Sequence, residues 1–453
     1  MIITNGKIVT WEKPNRILSN SALVIINSQI VEIAQEKEIL KNFPNEAIVN
    51  ANGQYIMPGN ICAHTHFYGA FSRGLAIPGS PPHNFKDILE KLWWPLDSSL
   101  TNEDVKYSAL VCIIDAIKHG TTTLIDHHAS QNSIENSLDA IKKAVDVSGI
   151  RAALCYEVTD RDGSEKAEMG IKENIRFINS VKSDNHCDGR LSACFGLHAS
   201  LTLSDQTLDL CRKAAPDDVG FHIHVAEDVV DQYDSIGKSG LRVVDRLKKH
   251  NILGPKSIAV HAVHIDAKEI EILADTNTWV THQPRSNMNN AVGLSDVESM
   301  MRFGIKVCLG NDGFSNDMWQ EWKTAYLAHK LWHRDPQKMN GLNIVEMAIY
   351  NNAQLATVQF NQNPIGVIIP GAEADLIFVD YHPFTPMTID NIAWHVIFGI
   401  NPSMVTTTIV AGKILMKDRK LLTINEEEIS SRAKELAPEI WQRYLNQSDI
   451  KIL

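Results

Sequence analysis

The sequence contains no CxxC pair, although it carries seven cysteines, at positions 62, 112, 155, 187, 194, 211 and 308. An odd number without paired spacing excludes a closed disulfide framework and a paired-cysteine zinc module. Four of the seven sit in apolar, strand-like runs, as reduced core thiols of a cytoplasmic protein do. No stretch approaches the roughly 20 apolar residues that a membrane-spanning helix needs. The opening MIITNGKIVT lacks the charged-then-apolar order of a secretory leader. No basic run offsets the net charge of −11, which argues against nucleic acid or an anionic membrane as partner. HExxH is absent, as is the PCxxC signature of one zinc-hydrolase fold. Gly237-Lys238-Ser239 is no phosphate loop, because Gln232 stands where that motif needs glycine.

What is present is an ordinary globular composition over 453 residues, 44% apolar and 21% charged, enough for one large domain and an accessory one. From 58 to 362, short runs rich in Val, Ile, Leu, Ala and Cys alternate with helical patterns. The strand candidates are 59–67, 121–128, 150–157, 190–199, 219–226, 257–264, 277–282 and 305–311, with the character of strands buried on both faces. The clearest helix covers 102–119: Thr101 and Asp104 open it as a capping box and Gly120 stops it. Others are expected at 135–147, 166–181, 241–250, 267–274 and 296–303. Eight strands alternating with helices predict an α/β fold, a (β/α)8 barrel with its active site at the C-terminal strand ends. Residues 1–57 and 363–420 instead show short alternating runs with turns, the two parts of one small β-sandwich. A final helix is expected within 421–453.

The chemistry lies at the strand ends. Strand one closes on His64-Thr65-His66, and residues two apart on a strand share a face. Strand five ends in His224, with Glu227 three residues on; strand six carries His261; strand eight ends in Asp312 beside Gly310 and Gly313. Each alone has a bland explanation as a buried histidine or a turn. Their recurrence at ends that a barrel brings together does not. Histidines and a carboxylate can hold a zinc-like ion and leave room for water, whose pKa falls from 15.7 to about 7 when bound. A carboxylate outside the metal shell is then needed to move protons, and Glu227 is placed for that. The expectation is a metal-assisted hydrolase.

The blocks PGNICAHTHFYG, HIHVAED, AVHAVH, THQPRSN, LGNDGFSND and PGAEADLIFVD resemble the amidohydrolase superfamily, in its branch of aminohydrolases and deaminases that includes the triazine hydrolases. The likeness spans almost the whole chain. DHHAS, CYEVTDRDG, SNMNNAVG and NDGFSNDMWQEW are similar to the aminohydrolases called SsnA. The resemblance implies metal ligands His64, His66, His224 and Asp312, with Glu227 protonating a ring nitrogen. His261 would polarise substrate or orient water, and Asp312 would relay the water proton to the leaving group. His198, at the end of strand four, would contact substrate. With no lysine at the tip of strand four, the expected centre is mononuclear, holding one divalent ion, zinc or iron.

His222 shares the parity of His224 one step deeper and reads as core. His264, His282 and Asn287 either orient the site or are satisfied polar groups, and one of His127 and His128 faces the pocket. The long connection Tyr68–Ser99 offers Trp93 and Trp94 for stacking on a planar ring and Arg73 for an oxo group or anion, unless the tryptophans simply pack the loop. The expected reaction is hydrolytic deamination of a small nitrogen heterocycle, a purine, pterin, pyrimidine or triazine, by a homodimeric enzyme. The alternatives are another leaving group (chloride, an alkylamine, a ring amide) and a non-catalytic metal-binding accessory protein.

Overall fold

The computed structural model describes residues 1–183, 189–361 and 363–447. Cys187 lies outside them; the other six cysteines are free thiols. No helix among the described residues is long and apolar enough to cross a membrane.

The barrel strands are Asn60–Thr65, Thr121–Asp126, Arg151–Leu154, a fourth in two pieces (Leu191–Ala193 and Phe195–Ala199), Phe221–Val225, Ile258–His261, Trp279–His282 and Val307–Leu309. All neighbouring pairs are parallel. The fourth strand breaks at Cys194: its first piece pairs with strand three and its second with strand five. Strand one meets strand eight through a parallel bridge between Thr65 and Asp312. The backbone N–H groups of Asn311 and Asp312 both donate to His64 O (3.0 and 3.1 Å), and His66 N–H donates to Asp312 O (3.1 Å). The seam that closes the barrel is therefore made of the residues singled out at the strand ends.

Inside the barrel, Ile61, Ile125, Ala153, Val260, Trp279 and Cys308 pack against Leu355 and Phe360 of the helix Asn352–Phe360, which plugs the end away from the histidines. The other strand faces pack on the outer helices. The helix Asn102–Lys118 has the expected capping box and ends before Gly120, whose φ of +74° suits glycine. Helices Asp205–Ala214, Val229–Ser239 and Met318–His333 were not marked by the sequence pattern. The connection Tyr68–Ser99 is not simply a loop. Asn84 caps a helical run from Phe85 to Asp97, which widens into a π turn at Leu89–Trp93 just before Pro95.

Beside the barrel lie two mainly antiparallel sheets. One joins Ile2–Thr4, Ser21–Ile26, Gln29–Gln35 and Ile48–Asn50; the other joins Lys7–Val9, Ile17–Leu18 and Tyr55–Pro58 to Leu376–Val379, Val405–Val410, Lys413–Lys417 and Lys420–Leu421. Tyr55–Pro58 and Leu376–Val379 pair antiparallel, so both ends of the chain build one sandwich around Ile3, Ile8, Leu23, Ile56, Phe378 and Ile409. Arg151 of barrel strand three reaches across to it, with Nε 2.7 Å from Asp375 and an Nη 3.2 Å from Glu373. The last helix, Glu426–Gln447, braces the mouth of the barrel: Trp441 Nε1 donates to Phe71 O (2.9 Å) and Arg443 to Ser99 O (2.7 Å).

Candidate active site

Alternation along strand one turns His64 and His66 to the barrel axis, and parallel pairing places His224 and Asp312 beside them. His66 Nε2 lies 3.2 Å from His224 Nε2 and 3.0 Å from Asp312 Oδ1, and His64 Nε2 lies 3.3 Å from that same oxygen. Adjacent ligands of a tetrahedral ion with 2.1 Å bonds stand about 3.4 Å apart. The four ligand atoms thus have the spacing of a metal shell.

The hydrogen bonds behind the rings fix which nitrogen is free. His66 Nδ1 donates to His127 O (2.6 Å), His224 Nδ1 to His198 O (2.8 Å), and His64 Nδ1 faces His222 Nε2 (2.9 Å). Each ring is left with its Nε2 lone pair toward the common centre, and His64 Nε2 has no hydrogen-bond partner there. Burial pushes His64 down to about 3 and holds His224 well below the usual imidazole range, keeping both neutral and able to ligate. Against the same burial, the adjoining Asp312 carboxylate raises His66 to about 9. The carboxylate demands positive charge at this spot, which a divalent cation supplies. Donor set, spacing and tautomers all fit one.

Next to the cluster, His261 Nε2 lies 3.3 Å from Glu227 Oε2. His261 Nδ1 donates to Asn287 Oδ1 (2.8 Å), so its Nε2 is a lone pair, and it has no hydrogen-bond partner. Asn290 Nδ2 donates to Glu227 Oε1 at 3.2 Å. Burial first, then the Asp312 charge, raises the Glu227 carboxyl well above its usual range. Asp312 goes the other way: burial would raise it, but the His64 and His66 rings against its Oδ1 hold it well below, and Ser286 donates to its second oxygen. Two carboxyls side by side are pushed apart in acidity, as an acid and a base need to be. The backbone is strained here too. Ala226 (φ 45°), His261 (69°), Ala262 (48°) and Asp312 (57°) are left-handed without being glycine.

A cleft opens over the cluster, walled by Tyr68, Phe85, Leu89, Trp93 and Trp94 on one side and lined by His66, His198, His224, Glu227 and Asp312 on the other. Trp93 packs edge-on to Tyr68 at 6.2 Å. Arg73 is exposed and lines an adjoining groove with Asp115, Arg285 and Phe314, which shares Trp93, Asn290, Asp312 and Gly313 with the cleft. His222 is wholly buried, yet it touches His64. His264 donates to Val292 O (2.7 Å) and His282 faces His329 (3.2 Å), away from the cleft; His127 and His128 do not line it. Sequence reasoning missed Asn290, Asp97, Arg161 and Glu157, which do line it. Glu157 had a signal, a carboxylate at the tip of a barrel strand. Burial would raise it, but the neighbouring His127, His198 and His66 rings hold it well below the ordinary carboxylate range.

The amidohydrolase family profile matches residues 55–415. The chain belongs to the amidohydrolase family. It is 30% identical over 452 residues to the 5'-deoxyadenosine deaminase of Methanosarcina mazei, covering 98% of this chain and 99% of that one. It is also 30% identical over 452 residues to the 5-methylthioadenosine/S-adenosylhomocysteine deaminase of Acetivibrio thermocellus, covering 97% and 99%. A crystal structure of an adenosine deaminase from Xanthomonas campestris with bound zinc superposes with a TM-score of 0.83 at 22% identity, covering 97% and 98% of the two chains, and shares the fold. As a member of this family, the chain is a hydrolase of carbon–nitrogen bonds other than peptide bonds.

Proposed function

We propose that the chain deaminates a small nitrogen heterocycle by hydrolysis, using a single zinc ion held by His64, His66, His224 and Asp312, with iron as the alternative metal. Adenine nucleosides are the first class to test, because the relatives aligned over nearly the whole chain are named for acting on them. The observation that carries the reading is geometric: Glu227 and Asp312 converge with His261, whose Nε2 lies 3.3 Å from Glu227 Oε2, beside the metal-competent His64, His66 and His224.

When bound, the ion supplies a water acidic enough to attack at neutral pH. Glu227, kept protonated by burial, donates to the ring nitrogen next to the amine-bearing carbon. His261, with its Nε2 lone pair turned to Glu227, accepts a hydrogen bond from the attacking water and aligns it. Asp312 takes one water proton and hands it to the departing amine, and the other passes from the new hydroxyl to Glu227 to replace the one it gave, so that water is consumed and ammonia released. Trp93 and Tyr68 form a wall on which a planar ring can stack, and His198 contacts the substrate. Within the family we place the chain with the SsnA aminohydrolases, as a cytoplasmic homodimer.

Metal analysis followed by an ammonia-release screen on the same preparation tests this. About one zinc or iron per chain, ammonia from at least one heterocycle and loss of both on chelation are expected. Chloride, alkylamine or ring-opened product without ammonia would replace deamination by another leaving group. Turnover of no heterocycle by metal-loaded protein would contradict the enzymatic reading.

A further inference from the structure

Glu157 follows the third barrel strand, and His198 lies in the fourth; both are buried and line the cleft. Their free atoms face each other, with His198 Nε2 3.9 Å from Glu157 Oε2. The hydrogen bonds behind them decide what those atoms are. Thr202 Oγ1 gives its proton to Ala199 O (3.2 Å), so it accepts from His198 Nδ1 (2.7 Å). The ring proton is therefore on Nδ1, and Nε2 is a lone pair. The other Glu157 oxygen, Oε1, turns to His127 Nδ1 at 3.1 Å. What remains in the cleft is two acceptors with no hydrogen to share between them.

The arginine of the cleft wall does not serve them. Arg161 is tied to Asp97, sits 3.1 Å from Asp162 and lies 5.4 Å over the Trp94 ring. The wall otherwise adds the carboxylates Asp97, Asp228 and Asp231. Both free atoms open to the cleft, so their donor comes from what fills it.

We propose that Glu157 and His198 form a subsite for a hydrogen-bond donor of the substrate, an amino, ring N–H or hydroxyl group other than the amine that leaves, and that the cleft rejects anionic substrates. The inference rests on the deaminase reading only in taking this cleft as the substrate site. Glu157 acts in specificity: it sets which heterocycle is held.

Calorimetric binding to the metal-loaded enzyme tests the subsite, with three matched pairs: 2,6-diaminopurine against adenine, adenosine against 9-methyladenine, and adenosine against adenosine 5'-monophosphate. The donor-bearing member of one of the first two pairs is expected to bind about ten- to hundredfold tighter, and the monophosphate more weakly than adenosine. In Glu157→Gln that preference should fall below about threefold, while the donor-poor partner keeps its affinity. Equal affinities in the wild type, no binding of any probe, or a preference retained in Glu157→Gln would each overturn the subsite; the wild-type comparison stands even if the variant does not fold. Ammonia measured in the same mixtures reads the reaction separately. Donor preference without ammonia would remove the deaminase reading and leave the subsite, and ammonia without preference would do the reverse.

Discussion

His222 Nε2 lies 2.9 Å from His64 Nδ1, joining the deeper histidine of strand five to the first metal-competent ring of strand one. On its other side His222 Nδ1 is 3.8 Å from Cys155 Sγ, whose S–H reaches Asp126 O at 3.5 Å. This chain of contacts holds the His64 proton on Nδ1 and its lone pair on Nε2. A partner of that kind typically changes metal affinity by about ten- to hundredfold. His222→Leu should therefore weaken zinc retention by that factor, read by chelator competition, with its far-ultraviolet circular dichroism unchanged. Unaltered retention would reduce His222 to a core residue.

The periodicity of the sequence made the barrel legible, since eight short strands buried on both faces carry a pattern unlike the alternating runs of the termini. The break at Cys194 was not legible, because one residue's departure from strand geometry leaves no trace in an apolar run. The helix Met318–His333 was hidden because its tryptophans, tyrosine and leucines are spread around it, with Leu331 and Trp332 exposed. At the site, the spacing His64-x-His66 and the strand-end positions of His224, Glu227, His261 and Asp312 pointed to residues that the fold brings together. Arg73 and Trp93 could not be told apart, because both fall in one long connection and the helical run Phe85–Asp97 that carries Trp93 left no clear pattern in the sequence. His222 and Glu157 show a further limit: parity gives the face of a strand, but not which neighbour a side chain meets.

Gly310 presses on the seam of the barrel. A Cβ there would stand 2.7 Å from His64 O and 2.8 Å from His64 N. Backbone cannot yield as a flexible side chain can, so Gly310→Ala should shift His64 and Asp312 together. We expect metal content to fall well below that of the wild type on dialysis, with a smaller loss of thermal stability. A variant that keeps full metal occupancy would show the seam to be pliant.

Arg151 is fully buried between Asp375 and Glu373, and Arg151→Met would leave two buried carboxylates without their partner. Losing one side of such a pair costs about 3–5 kcal/mol. Denaturant melts of Arg151→Met should show a loss of that size. A double variant that also makes Asp375 and Glu373 apolar should recover much of it. A single variant as stable as the wild type would mean that the pair does not hold the sandwich to the barrel.

The acid/base role of Glu227 is the centre of the account, and Glu227→Gln isolates it, because the amide keeps the shape and cannot shuttle the proton. The measurement is ammonia release by metal-loaded wild type and Glu227→Gln on whichever heterocycle the wild type turns over, with metal content assayed on both. The account predicts a fall in kcat of at least about a hundredfold, at unchanged metal content and with substrate still bound. A variant that turns over at the wild-type kcat would contradict it.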